Sequence, residues 1–244
     1  MDAYSTIHGQ RETGGGRHRP SLVGPGAGCR KAARVYSEKT TIYIVDDDPD
    51  IREVTGRMLI SAGYEVRDFG SAQELLDCPA LCLAACLILD VKLPDLDGLE
   101  LQRRLQSERA APPVVFITGY GDIPMTVKAM QQGAVDFLPK PFGKDDLLVA
   151  VRSAVEKHQQ TVRLLEASED MLLRVGELTP REVQVFERVS SGMLNREIAA
   201  ELGTSEQTVK LQRASVMKKM GVESLADLVR LYEQYREAKR ILSR

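Results

Sequence analysis

Acidic, hydroxyl and cationic side chains recur in this chain directly after short apolar runs. Asp46, Asp47 and Asp48 follow TIYIV, Asp90 ends CLILD, Thr118 ends PVVFIT, and Lys140 comes shortly after AVDFL. Carboxylates gathered at one point repel one another, and at least one holds a proton unless a cation relieves them. Mg²⁺ suits such a set, because it takes two or three hard oxygen ligands and keeps several waters. A carboxylate can also attack phosphorus to give an aspartyl phosphate, while a metal neutralises charge on the transferring oxygens. A threonine hydroxyl can hydrogen-bond a phosphoryl oxygen, and a lysine can supply positive charge on the opposite side. A phosphoryl group needs every one of these parts. Asp48 and Asp50 instead suit the start of a following helix, where the macrodipole favours negative charge. Lys140-Pro141 is a candidate cis peptide that would aim the lysine inward, since X-Pro bonds alone make that form cheap.

These residues act together only if the intervening elements bring them together. From residue 41 the chain alternates: TIYIV, a helix over about 49–62 stopped by Gly63, YEVRDF, and SAQELLD with a serine at the N-cap position. CLILD, a helix through LELQRRLQSER, PVVFIT, DIPMTVKAMQQ closed by Gly133, AVDFL and a long helix from about 143 follow. Five apolar strands alternating with five helices predict an α/β domain with a parallel sheet covered on both faces. Ligands of such sheets sit outside the carboxyl ends of the strands, near the switch in strand order. With the flavodoxin-like order 2-1-3-4-5, the first and third strands are neighbours, and Asp46, Asp47 and Asp90 converge.

The 244 residues are enough for more than one domain, and 43% hydrophobic with 28% charged residues is ordinary globular composition. No apolar run is long enough for a membrane span, and the N-terminus lacks an apolar signal region, so a cytoplasmic location is expected. The net charge of -2 hides a split. Residues 39–160 hold 13 Lys and Arg against 19 Asp and Glu, whereas residues 179–244 hold 12 against 9, so the two halves differ in task. Residues 1–38, rich in Gly and Arg with few large apolar side chains, read as a disordered tail. Cys78, Cys82 and Cys86 fall at helical spacing, but Pro79 interrupts any helix there; they read as small buried or half-buried thiols rather than a metal or redox site.

Residues 161–178 are polar and helix-compatible, and read as a linker. Beyond them Thr179, Pro180 and Glu182 form a capping box that starts a helix. NREIAAELG, the turn GTS and SEQTVKLQRASVMKKM make two helices joined by a glycine turn, a helix-turn-helix whose second helix enters the major groove. Val209, Val216 and Met220 share the spacing that docks this helix. Thr208, Lys210, Leu211, Gln212, Arg213 and Lys218 remain as outward groups. Lysine and arginine suit phosphates and guanine edges, and glutamine suits adenine. On the last helix, Leu225, Leu228, Val229, Tyr232 and Tyr235 form an apolar stripe that suits packing within the domain.

The set VDDD, LDVKLPDLDG, VVFITGYGD and DFLPKPF resembles the receiver domain of two-component response regulators over residues 39–160, and the motifs are specific jointly rather than singly. That resemblance implies Asp90 as phosphoacceptor, Mg²⁺ on Asp46, Asp47, Asp90 and the backbone carbonyl of Lys92, Thr118 and Lys140 as readers of the phosphoryl group, and Phe137 with Thr118 as the switch pair. Residues 179–244 resemble the LuxR-type DNA-binding domain, although Gln212 stands where many relatives have histidine. Together the two halves resemble NarL/FixJ-type regulators, closer to FixJ. The implied partners are a sensor histidine kinase, double-stranded DNA, RNA polymerase and a second copy of the chain, the last through the stripe on the final helix and through phosphorylation-driven receiver pairing. No membrane partner is implied. Two alternatives stand beside this reading: a regulator whose DNA contacts ignore phosphate, and an aspartate-nucleophile phosphatase. Haloacid-dehalogenase-like phosphatases carry a general acid two residues past the nucleophile; that position is Lys92, which cannot serve as one, so a turnover enzyme is not expected.

Overall fold

The computed structural model describes residues 40–106, 111–119 and 123–243. The tail expected over residues 1–38, with Cys29, lies outside the described residues, as does Tyr120. Five strands, β1 (Thr41–Val45), β2 (Glu65–Phe69), β3 (Ala84–Asp90), β4 (Val114–Thr118) and β5 (Asp136–Pro139), pair in parallel in the order β2-β1-β3-β4-β5. This is the flavodoxin-like order expected for the domain, and the parallel pairing is the one that the alternation of strands and helices predicts. Central β3 is buried at every residue, as an apolar run covered on both faces must be. It begins two residues before CLILD, because Ala84 already pairs with Thr41. Edge strand β2 keeps Glu65 and Asp68 exposed, which blunts its open side against further pairing.

Local chemistry sets where the helices begin. Asp48 caps α1 (Pro49–Ser61), accepting from the amides of Asp50 at 2.9 Å and Ile51 at 3.4 Å, so it serves the helix and not the acidic cluster. Ser71 caps α2 (Ala72–Leu76), whose first amides also donate to the carboxylate of Asp95. The helices α3 (Gly98–Leu105), α4 (Ile123–Gln131) and α5 (Lys144–Gly176) complete the cover. One apolar core lies on each face of the sheet. Tyr43, Leu87, Leu89, Leu101 and Phe116 build the first, and Ile44, Ile88, Ile117, Leu147 and Val151 the second. Cys78 and Cys82 are half-buried and Cys86 is fully buried, where burial pushes its thiol pKa up.

Helix α5 runs unbroken for 33 residues, through the segment read as a linker. No proline and no internal glycine interrupts it before Gly176, so nothing in the chain ends the helix sooner. Its first turns bury Leu147, Ala150, Val151 and Ala154 against the sheet; further along, Leu165, Met171 and Val175 are buried again. Ser168, also buried there, donates back to the Leu164 carbonyl at 2.7 Å.

That second stretch belongs to a third core with α6 (Pro180–Ser190), α7 (Asn195–Glu201), α8 (Glu206–Met220) and α9 (Leu225–Leu242). Val209, Val216 and Met220 dock α8 with no exposure. The chain leaves α8 through Gly221 at φ 65°, a left-handed position that glycine takes without strain. The stripe on α9 divides: Leu228 and Tyr235 turn inward while Leu225 stays exposed. Phe186 of α6 meets the Tyr232 ring edge-on at 5.3 Å between centroids. Among the described residues no helix is long and apolar enough to cross a membrane.

Glu182 ties this small domain together. Its carboxylate accepts from Lys219 Nζ at 2.7 Å, Ser215 Oγ at 2.7 Å and the Thr179 amide at 2.8 Å. Those donors, Lys219 first, lower its pKa from 4.5 to about 2. A carboxylate whose pKa is depressed on folding adds stability that is complete above the unfolded value of 4.5 and disappears as pH falls toward 2. Glu182→Gln should therefore destabilise the small domain by about 1–3 kcal/mol near neutral pH, the scale of hydrogen bonds to a charged group. Amide exchange in α6 and α8 measures the difference, which should shrink as the pH drops below 4.5.

Candidate functional site

Val45 pairs with Leu89, so the residues that follow, Asp46 and Asp90, leave the sheet side by side. Asp46, Asp47 and Asp90 each present a carboxylate oxygen within 4.8 Å of the other two. Asp46 and Asp90 are buried, and Asp47 faces solvent. Lys140 enters from the end of β5, where its amide donates to the Thr118 carbonyl at 2.7 Å and the Lys140–Pro141 peptide is cis. Its ammonium lies 2.6 Å from Asp46 Oδ2 and 2.8 Å from Asp90 Oδ2. The other carboxylate oxygens are held by backbone: Asp46 Oδ1 accepts from the Asp48 amide at 2.9 Å, and Asp90 Oδ1 from the Lys92 amide at 3.1 Å.

Burial raises the Asp46 pKa, and the bonds from Lys140 and the Asp48 amide offset this only in part, while the Asp90 charge adds to the rise. Burial opposes the charge on Lys140 as well, yet bonds to Asp46 and Asp90 outweigh it, so the lysine pKa is raised and the ammonium stays charged. A cluster of hard oxygens with one member open to solvent fits a small divalent cation that keeps part of its water shell, as Mg²⁺ does.

Thr118 is buried at the end of β4, one residue past Ile117, which pairs with Asp90. Phe137 is half-buried on β5, opposite Phe116, and so lies on the same sheet face as Thr118 two residues further along β4. Asp46, Asp47, Asp90, Thr118 and Lys140 thus share the carboxyl rim of the sheet.

Two positioning residues escaped the sequence reading. Arg52 on α1 donates from Nη1 to the backbone carbonyls of Asp46 at 2.7 Å and Asp47 at 3.2 Å, and from Nε to Asp68 Oδ2 at 3.2 Å. It clamps the acidic loop between helix and edge strand, and side-chain-to-carbonyl contacts leave no pattern in a sequence. Gly98 comes so close to the Asp90 backbone that an added Cβ would sit 2.4 Å from its carbonyl oxygen. The glycine of LPDLDG was the visible signal; its neighbour was not.

On α8, the exposed members of the expected outward set are Lys210, Leu211 and Lys218. Thr208, Gln212 and Arg213 are half-buried instead, because they flank the buried stripe of Val209, Val216 and Met220 on its two sides. Thr208 Oγ1 is 2.8 Å from Ser205 Oγ, and Gln212 Oε1 is buried without a hydrogen-bond partner. Outward spacing on a helix wheel therefore overstated the free face.

Residues 42–152 match the response regulator receiver domain, and residues 176–232 match the bacterial regulatory proteins of the luxR family. The chain is 44% identical to Nodulation protein W of Bradyrhizobium diazoefficiens over 197 residues, covering 81% of this chain and 87% of that protein. It is 40% identical to the Transcriptional regulatory protein FixJ of the same species over 193 residues, 79% of this chain and 94% of FixJ. Among solved structures, the response regulator StyR matches with a TM-score of 0.69 at 40% identity, covering 81% of this chain and 100% of StyR. Full-length FixJ from B. japonicum matches at 0.50 and 40% identity over 82% of this chain and 99% of FixJ. A parallel sheet with an acidic rim, joined to a helix-turn-helix and matched along both halves, has one family to belong to: the chain is a DNA-binding transcriptional response regulator of the NarL/FixJ type.

Proposed function

We propose that Asp90 accepts a phosphoryl group from a sensor histidine kinase and that this modification controls DNA binding by the helix-turn-helix. The observation that carries the reading is the single ammonium of Lys140 bonded to both Asp46 and Asp90 at a solvent-reachable rim. An Asp90 carboxylate oxygen forms the new bond to phosphorus as the phosphorus–nitrogen bond to the donor histidine breaks. Bonds from the Lys92 amide and Lys140 orient that carboxylate. Lys140 keeps its charge and is placed to follow the phosphoryl oxygens, and the Thr118 hydroxyl donates to one of them. Asp46, Asp47, Asp90 and the Lys92 carbonyl would hold Mg²⁺, which supplies neutralising charge for the transferring oxygens.

Displacement of Thr118 toward the phosphoryl group gives Phe137 room to turn inward. The surface of α4, β5 and α5 changes with it and favours a receiver dimer. Two paired copies present two α8 helices to a two-fold-symmetric site, with Lys210, Leu211 and Lys218 outermost and Thr208, Gln212 and Arg213 along the border. With Lys92 where a phosphatase of the aspartate-nucleophile class needs an acid, the phosphate is held and not turned over.

Incubation with Mg²⁺ and a small phosphodonor should label the wild type with hydroxylamine-labile phosphate and raise its DNA affinity, and Asp90→Ala should do neither. Label on Asp90→Ala would reject the site; label without any change in affinity would favour a regulator that ignores phosphate, and steady release of inorganic phosphate a phosphatase. Asp47→Asn should shift half-maximal labelling to higher Mg²⁺, read from a Mg²⁺ titration. Gly98→Ala should displace the Asp90 backbone, cutting the labelling rate and destabilising the receiver by about 1–3 kcal/mol, the usual cost of overpacking; denaturant unfolding checks it.

A further inference from the structure

Resting on that reading, we propose that Arg174 is a positioning residue that couples the receiver to the recognition helix α8. Helix α5 has one end in each half of the protein: Leu147, Ala150, Val151 and Ala154 are fully buried in the receiver core, and Met171 and Val175 are largely buried in the core of the DNA-binding domain. Between them the helix has no break. At its far end α5 and α8 clasp each other by their C-termini. The Arg174 guanidinium donates to the carbonyl of Met220, the last residue of α8, at 2.6 Å in a part-buried contact. In return, the Lys219 ammonium of α8 donates to the carbonyl of Glu177, which caps α5, at 3.3 Å, and to Glu182 at 2.7 Å.

Each helix thus places a cation on the other's C-terminal carbonyls, where unpaired acceptors and the negative end of the dipole concentrate. Two neighbouring carbonyls of α8 are already taken, Lys218 by the Gly221 amide and Met217 by the Val222 amide, and Arg174 holds the terminal one, that of Met220. With no proline or internal glycine to kink it, α5 curves only gently, and a displacement of α5 at the receiver surface is carried to the end of α8 instead of being lost in a flexible linker. Arg174 fixes the angle between α5 and α8; without it, the shared apolar core and the Lys219–Glu177 contact still hold the two helices together, but the angle at which α8 follows α5 is no longer set.

The experiment compares full-length wild type, Arg174→Gln, Arg174→Lys and a short glycine insertion between the exposed residues Gln159 and Gln160. Each is measured for label on Asp90, for dimerisation, and for DNA affinity with and without phosphorylation. In the wild type the ratio of the two affinities should lie in the range of about 5- to 150-fold typical of coupled sites. Arg174→Gln and the glycine insertion should take that ratio close to one with labelling and dimerisation unchanged, and Arg174→Lys should recover part of it. A ratio preserved in Arg174→Gln overturns the assignment. Loss of affinity by the same factor in both phosphorylation states overturns it too, because a merely structural residue leaves the ratio alone. If Arg174→Gln does not fold, as thermal unfolding would show, the glycine insertion decides: a preserved ratio overturns the coupling and a lost one supports it. A wild-type ratio of one despite full labelling defeats the phosphorylation-controlled reading itself, and this coupling with it.

Discussion

Two buried carboxylates forced side by side are the constraint on which this molecule depends. At about 4 Å and an effective dielectric near 20, two unit negative charges repel by about 4 kcal/mol, a large fraction of the roughly 5–15 kcal/mol that holds a domain folded. Asp46 and Asp90 sit at that kind of separation because β1 and β3 are hydrogen-bonded neighbours and the chain leaves both strands at the same rim. The apolar strands behind them pin the geometry: Ile42 to Val45 and Cys86 to Leu89 are fully buried. Lys140 makes the arrangement tolerable by bonding both acids at once. The receiver is therefore built around a charge balance with little slack. Added negative charge at Asp90 has to be answered by the same lysine, by Thr118 or by a cation on the acids.

A site of this kind matters to transcription only if its state is felt elsewhere in the chain. The unbroken course of α5 changes how that can happen. One helix contributes apolar residues to the receiver core and to the core of the DNA-binding domain, and its end is clasped to the end of the recognition helix. Flexible tethers communicate chiefly through effective concentration, whereas a packed helix also passes on orientation.

The polar interior of the small domain follows a related logic. Glu182 begins as an ordinary capping-box residue and ends as an acceptor for Lys219 and Ser215, so a single carboxylate joins the start of α6 to the last turns of α8. Arg181, which donates to the Leu202 carbonyl, ties α6 to the end of α7 in the same manner. Apolar docking holds α8 in the core, and Glu182 ties its last turns to the start of α6.

Much of this was legible in one dimension, since alternation of apolar runs and helices gives a parallel sheet, and acidic or cationic residues just past the strands must collect at its rim. The capping box at Thr179, the turn at Gly203 and the docking residues of α8 likewise follow from local chemistry and a period of 3.6. The sequence by itself thus determined the element types, their order and the membership of the acidic cluster, because each depends on residues close in the chain or on a simple periodicity. Only the tertiary structure decided the rest: that Arg52 grips the backbone under the acids, that Gly98 must lack a side chain because the Asp90 carbonyl occupies its place, that half of the outward set on α8 is covered, and that Arg174 reaches Met220. Each is a contact between a side chain, or the lack of one, and backbone far away in the sequence. Backbone carbonyls are identical at every residue, so nothing in the order of the side chains marks which of them will be touched.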